Sequence, residues 1–389
     1  MTARSGYISI GVLLILLALA VLAPLLANDV PLHVRQGQNN YYPAWSIYFG
    51  RGGTHEIETP SGIKSVHYQR FDWTSEYWDA IRMPWIPFSP DGLGPSGSAY
   101  LAPGTDGHLL GTDRIGRDVA AGILHGARIS LSIGWIAMGI AALLGVFLGG
   151  ISGYSGNRGW SMPRVSFWVF WILLPLGWFY GMKANFGPPP ADAVLFFGIP
   201  IGGAWLVGRH RAVRHKTIYV PLDSLITRLT EVLTSLPRLL IIITVASITS
   251  RSIWLVMVII GLTSWTHIAR YTRAEVLRIR SMEYITAAEA TGIRAFRVLL
   301  RHALPNALAP VWVNMAFGIA AAILIESGLS FLGIGVPVET VTWGSMLNAG
   351  RMNVEAWWLV VFPGLAIFIT VTSYNLLGEA LRRWLQPKE

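Results

Sequence analysis

Two carboxylates stand in otherwise apolar stretches of this chain, Glu231 and Glu326. An ionisable side chain at membrane depth is costly and by default marks a substrate or ion pathway. Both are therefore candidate pathway residues, together with Thr227 and Thr234, which lie about one helical turn on either side of Glu231. The competing reading of Glu231 is a side chain that snorkels to the interface beside Arg228. Other chemistries find no residues to perform them. The absence of cysteine excludes disulfides and thiolate metal sites. The nine histidines form no His-Glu-x-x-His pair, and no serine sits in a Gly-x-Ser-x-Gly elbow. No Gly-x-x-x-x-Gly-Lys-Ser/Thr phosphate loop is present, so this chain binds no cofactor of its own and any ATP must be handled elsewhere.

The stretch with the most specific pattern is Glu283 to Asn306, EYITAAEATGIRAFRVLLRHALPN, which is basic and lies between two long apolar segments. Tyr284, Ala287, Ala288 and Thr291 share one helical face, too small-residued to build a core but suited to close contact with a partner's groove. Gly292 is the expected left-handed stop. A second helix places Phe296, Leu299, Leu300 and Leu304 on one side and Arg294, Arg297 and Arg301 on the other. Leu304-Pro305 restarts the chain into the next apolar run, with proline where a first turn tolerates it.

These residues must be positioned by membrane helices. The chain has 389 residues, is 53% hydrophobic and only 13% charged, and its mean hydropathy is +0.49. Repeated apolar runs of roughly 20 residues identify an all-α polytopic membrane protein. The net charge of +9 is explained by basic clusters on cytoplasmic loops rather than by nucleic acid. Residues 1–27 hold the apolar run Gly6 to Ala27, longer than the core of a cleaved signal peptide and read as a retained signal anchor. Residues 28–110 contain no spanning run and more acidic than basic residues, as an extracytoplasmic insertion should. Tyr41, Tyr42, Trp45, Trp73, Trp78 and Trp85 argue for a small packed cap there. Pro84, Pro87, Pro90 and Pro95 make its second half extended or turned.

Residues 111–158 comprise an amphipathic lead-in and a second span, Ile129 to Gly153, whose Gly134, Gly139, Gly145, Gly149 and Gly150 suit close helix packing. Residues 159–216 read as a transmembrane hairpin, Val165 to Met182 and Ala193 to Gly208, returning to the basic cluster Arg209 to Lys216. Residues 217–389 supply the remaining spans and the basic loop 270–305. There Leu222 to Ser250 is amphipathic in its first half and kinked at Pro237. Ser252 to Trp265, Val311 to Gly333 and Leu359 to Leu381 follow. The total is eight spans with both termini cytoplasmic.

The stretch at 283–305 resembles the coupling motif of ABC importer permeases: Glu-Ala-Ala, three residues, Gly, nine residues, an aliphatic, one residue, Leu-Pro. Here it reads Thr286-Ala287-Ala288, Gly292, His302, Leu304-Pro305, with Thr286 in place of the Glu and His302 in place of the aliphatic. Leu110 to Asp118 (LGTDRIGRD), Gly153 to Gly156, Leu329 to Gly335 (LSFLGIG), Trp343 to Met346 (WGSM) and Phe362 to Ala366 are similar to the second permease of peptide importers. Ala27 to Leu32 and the long insertion are similar to the microcin C/oligopeptide branch. The resemblance implies a type I importer core of six helices, which the hairpin 165–208 interrupts, in a bacterial inner membrane. It also implies a second permease, two ABC ATPases that use the ATP, an external solute-binding protein and surrounding membrane lipid. ATPase contact would fall on Tyr284, Thr286, Ala287, Ala288, Glu289, Thr291, Gly292, Leu304 and Pro305.

The alternative is a secondary transporter driven by an ion gradient. It needs midplane charges, which only Glu231 and Glu326 approach, and an inverted repeat, which is not evident. A membrane enzyme lacks any catalytic constellation.

Overall fold

The computed structural model describes residues 3–385 except 52–53, 60–61, 70, 74–77, 93–96, 158–160, 183–197, 208–216, 250 and 338. The loop joining the expected hairpin, the basic cluster Arg209 to Lys216, Pro95 and the terminal Pro387-Lys388 lie outside the described residues.

Five helices are long and apolar enough to cross a membrane: α1 (Ala3–Leu26), α3 (Val119–Ser155), α8 (Ile253–Arg280), α12 (Ala309–Phe331) and α14 (Trp358–Leu385). A sixth span is broken into α6 (Leu222–Ser235) and α7 (Arg238–Ile248), with Pro237 as N-cap of the second piece. Proline cannot donate to the preceding turn, so the break falls where the sequence places it. The hairpin region contributes α4 (Arg164–Met182) and a shorter α5 (Gly198–Val207). Its base is closed by strand β6 (Ser161–Pro163), paired antiparallel with β7 (Thr217–Tyr219). Beside that clasp the Asn157 side chain accepts a bond from the Ser224 backbone N–H at 3.0 Å. The insertion thus leaves and re-enters the chain at one place.

The chain divides into two compact units. The first comprises residues 1–144, 234–268 and 308–389; the second comprises 145–233 and 269–307. In the first, α1 packs on α14, with Tyr7 and Trp384 ring centroids 5.8 Å apart. The Trp135 indole donates to Tyr374 Oη at 2.9 Å. Residues between α1 and α3 form a small β-rich cap. A three-stranded sheet in the order β2 (Asn39–Tyr41), β1 (His33–Gln36), β5 (Ala80–Arg82) accompanies the hairpin β3 (Thr54–Thr59) and β4 (Gly62–His67). Val34, Ile57, Tyr68, Trp73 and Trp78 fill its core, with Tyr41 packed partly against it. Trp45 and Trp85 were expected inside it and are exposed instead, as is Tyr42.

The lead-in before α3 is not a continuous amphipathic segment. Residues 108–118 fold into tight turns: His108 Nδ1 lies 2.8 Å from Asp118 Oδ2, and Asp113 Oδ1 accepts the N–H groups of Ile115 and Arg117, each at 2.9 Å. The helix starts only at Val119, with Asp118 Oδ1 bonded to the Ala121 N–H at 2.7 Å. An acidic residue just ahead of a first turn satisfies orphan donors there, which favours starting at this point over extending upstream.

Glycine governs how closely α3 and α8 approach. In the first unit a Cβ on Gly261 of α8 would lie 2.8 Å from the Ala137 carbonyl oxygen of α3. In the second, a Cβ on Gly153 of α3 would lie 2.7 Å from the Arg273 carbonyl oxygen of α8, and Gly149 abuts Ala269 in the same way. Backbone contact of this kind holds helices together in lipid, where no hydrophobic force drives them into contact. Gly139, by contrast, faces open space. Replacing Gly153 with Ala should therefore destabilise the detergent-solubilised protein by about 1–3 kcal/mol. Gly139→Ala should be neutral or slightly stabilising, because alanine is the better helix former. Thermal unfolding followed by size-exclusion chromatography separates the two outcomes.

Candidate functional site

In the second unit the basic stretch forms α9 (Glu283–Ala290), α10 (Ala295–Val298), a π-helical turn at Leu299–Ala303 and α11 (Leu304–Ala307). One apolar cluster anchors all of it: Ile285, Val298, Leu299, Ala303 and Ala307 are buried against Tyr154, Val276 and Ile279, and Ala288 and Leu304 pack partly against them. Leu304 also covers Gly150, where a Cβ would meet its Cδ2 at 2.8 Å.

Ile285 is thus the root of α9, and Tyr284, Thr286, Ala287, Glu289 and Thr291 are exposed around it. Ala288 turns partly inward, so the expected face of Tyr284, Ala287, Ala288 and Thr291 is outward at three positions rather than four. Gly292 has φ +79°, the left-handed conformation that L side chains resist, and its N–H bonds the Glu289 carbonyl at 3.0 Å. The stop is therefore conformational rather than steric, since nothing crowds a Cβ there.

The second helix differs from expectation. Phe296 and Leu300, predicted on an apolar inner side with Leu299 and Leu304, are exposed, and Val298, Leu299 and Ala303 face the core instead. The π turn is the reason, since it adds a residue to one turn and rephases the buried stripe. Pro305 lies in the first turn of α11, where its missing N–H is tolerated.

Polar contacts tie α9 and α6 to the ends of the neighbouring spans. Tyr154, near the end of α3, donates its hydroxyl to Glu289 Oε1 at 2.7 Å, and the Arg280 guanidinium lies over the Tyr154 ring at 5.6 Å from its centroid. Asp223 of α6 receives Arg273 Nη2 at 2.8 Å and the Ser152 hydroxyl at 2.5 Å. The Arg273 and Asp223 side chains are 34% and 20% exposed, so this bidentate pair is worth more than a surface contact but far less than a fully buried one. No spacing rule pointed to Tyr154, Ser152 or Arg273. The only sequence cues were Asp223 on the polar side of α6 and an acidic Glu289 among arginines.

The candidate pathway residues fall in two places. On α6, Thr227 is half-buried with its carbonyl bonded by the Thr230 hydroxyl at 2.7 Å, and Thr234 is exposed. Glu231 pairs with Arg228 at 3.0 Å, with both side chains largely exposed. The apolar residues Leu225, Leu229, Val232 and Leu236 of the same helix face outward. Glu326 belongs to the first unit and is completely buried there, accepting the Ser330 hydroxyl at 2.7 Å and the Ser130 hydroxyl at 3.4 Å. Among the described residues, no group of three or more His, Asp or Glu could hold a metal.

Residues 212–389 match the family model described as binding-protein-dependent transport system inner membrane component. The dipeptide transport system permease protein of Bacillus subtilis (strain 168) is 31% identical over 290 residues, 74% of this chain and 71% of that protein. The di/tripeptide transport system permease protein of Pseudomonas aeruginosa (strain UCBPP-PA14) is 30% identical over 317 residues, 79% and 83% of the two chains. The oligopeptide transport system permease protein of B. subtilis is 27% identical over 287 residues, 74% and 73%.

The link from Tyr154 to α9 is testable by itself. A neutral-to-charged hydrogen bond contributes roughly 1–2 kcal/mol, so Tyr154→Phe should raise amide hydrogen exchange in residues 283–290 about 5- to 30-fold. Exchange measured by mass spectrometry would leave α12 unaffected if the link is local.

Proposed function

The chain belongs to the inner membrane components of binding-protein-dependent transport systems, the permease family of peptide-type ABC importers, and on that premise we propose that it forms half of an ATP-driven pathway for inward movement of oligopeptides or peptide-like compounds. A second permease completes the pathway, two ABC ATPases dock on the 283–305 element, and an external solute-binding protein delivers the cargo. The sequence supports the division of labour, because the chain has no phosphate loop of its own.

The observation that carries this reading is the surface of the coupling element. Tyr284, Phe296 and Leu300 are 43%, 59% and 47% exposed on a segment rooted by buried Ile285. Large apolar groups grouped on a short, basic, extramembrane segment are what a protein partner covers. Closure of the ATPases around ATP would push α9. The shared core of Ile285, Val276 and Tyr154 would pass that displacement to the ends of α8 and α3.

The six-helix core plus hairpin, eight spans in all, fits the two shorter apolar helices α4 and α5 added to the broken and unbroken spans. The basic stretch 270–301 places the coupling element, and by alternation both ends of the chain, on the cytoplasmic side. An ion-driven secondary transporter gains no support from Glu231, which is paired and exposed, or from Glu326, which is enclosed by hydroxyls.

In reconstituted transporter, Gly292→Trp should abolish stimulation of ATPase activity by the loaded binding protein while subunit assembly persists. Tryptophan at φ +79° forces the turn to reorganise. Normal stimulation in this variant would refute the coupling role. Uptake by this chain alone under an ion gradient would favour secondary transport.

A further inference from the structure

Three sequence blocks remain unused by the coupling element: residues 110–118, 329–335 and 343–346. In the first unit all three reach one open cleft of about 500 Å³, walled by Asp113, Arg114 and Arg117 from the first, Ser330 and Gly333 from the second, and Ser345 from the third. An adjoining hollow of about 630 Å³ shares Asp91, Arg251, Pro337 and Glu339 with it. That second hollow adds His125 and Arg128 and the apolar Ile129, Ile136, Trp254 and Met257.

Some of the charges are committed to the fold. Arg117 Nε donates to Asp113 Oδ2 at 2.8 Å, and Asp113 also caps its own loop. The floor groups are engaged as well: the Ser330 hydroxyl donates to buried Glu326 at 2.7 Å, and Ser345 closes a capping box with Thr342. The wall is therefore held in place before any ligand arrives. Arg114, Arg251, Asp91 and Glu339 are different. All four are exposed and none makes an ion pair among the described residues. They offer two cations and two anions around one space, beside an apolar annex. Guanidinium groups bind carboxylates bidentately, and carboxylates accept from ammonium groups. The volume falls in the usual range for a small-ligand site.

We propose that this cleft is a receiving site for a zwitterionic peptide, with its α-carboxylate on Arg114 and Arg251 and its α-ammonium group on Glu339 and Asp91. The peptide's first side chains enter the annex beside Trp254. The inference rests on the peptide-importer reading and adds to it a site within this chain. Because the loops that form the cleft follow or precede spans on the side opposite the basic loop, the site faces the donor compartment.

The test uses the full transporter in nanodiscs without the binding protein, with trialanine as probe in saturation-transfer NMR. Wild type should transfer saturation to the alanine methyl groups. The Arg114→Ala/Arg251→Ala double variant should lose at least about 5-fold of that signal, the loss expected when charge-assisted bonds are removed. Trialanine amide should bind weakly, and equally, to both. Glu339→Gln should weaken binding of trialanine but not of its N-acetyl form. No signal in wild type, or a signal that the variants and blocked peptides leave unchanged, overturns the proposal. Uptake by the wild-type transporter supplied with its binding protein separates the two levels of inference. Absence of ATP-driven uptake of alanine peptides removes the peptide reading itself, whereas uptake combined with charge-insensitive NMR binding removes only the cleft.

Discussion

Backbone contact between α3 and α8 is the constraint on which both units depend. Lipid tails are as apolar as leucine, so helices in a membrane gain little by hiding apolar side chains from their surroundings. What holds them is dispersion between closely fitted surfaces, and that requires small residues where the axes come nearest. Gly261 meets Ala137 in the first unit, and Gly149 and Gly153 meet Ala269 and Arg273 in the second. α3 has 37 residues and α8 has 28, so each carries one of these contacts at two well-separated levels. Since both helices continue into the second unit, the same contacts fix the frame on which α9 and the π turn are mounted.

The second unit shows how a soluble-looking segment is secured without much apolar material. α9 has eight residues, too short to be stable as an isolated helix, and only Ile285 of them is fully buried. Its fold is maintained by that anchor, the left-handed Gly292 and the Tyr154 hydroxyl on Glu289. Such a helix is fixed at its root and open along most of its circumference. That is the form needed by an element that must be both attached to the spans and gripped from outside.

Much of this was readable from residue order, and the exceptions have physical causes. The apolar runs located the long spans because length and hydropathy are local properties, and Pro237 located the break because a missing N–H is local too. Gly292 was legible because few other residues adopt φ > 0 without strain. The orientation of the helix after it was not. A 3.6-residue period assigns Phe296 and Leu300 to the buried side, and the π turn at Leu299–Ala303, which no residue type announces, moves them outward. Trp45 and Trp85 misled for a different reason. Aromatic content signals a packed cap, yet it cannot say which rings complete the core and which remain at its edge. The bonds to Tyr154, Ser152 and Arg273 join residues 50 to 135 positions apart, a separation at which periodicity is silent.

Glu326 shows the same limit from the other side. Its position in an apolar run correctly marks it as exceptional, because an unpaired carboxylate there would be prohibitively costly. Sequence supplies the exception but not the compensation. Ser327 and Ser330 lie near it on the same helix, while Ser130 arrives from α3, 196 residues away in sequence. With these hydroxyls around it the carboxylate serves as a buried tether between α12 and α3. Ser330 then presents its backbone and the following Phe331–Gly335 segment to the cleft at a fixed height. A carboxylate that looks like a pathway residue in one dimension thus becomes, in three, a group that holds the wall beside the pathway. A satisfied polar network deep in a helix pair rigidifies what it supports, and it allows the residues around the cleft to keep their charges free.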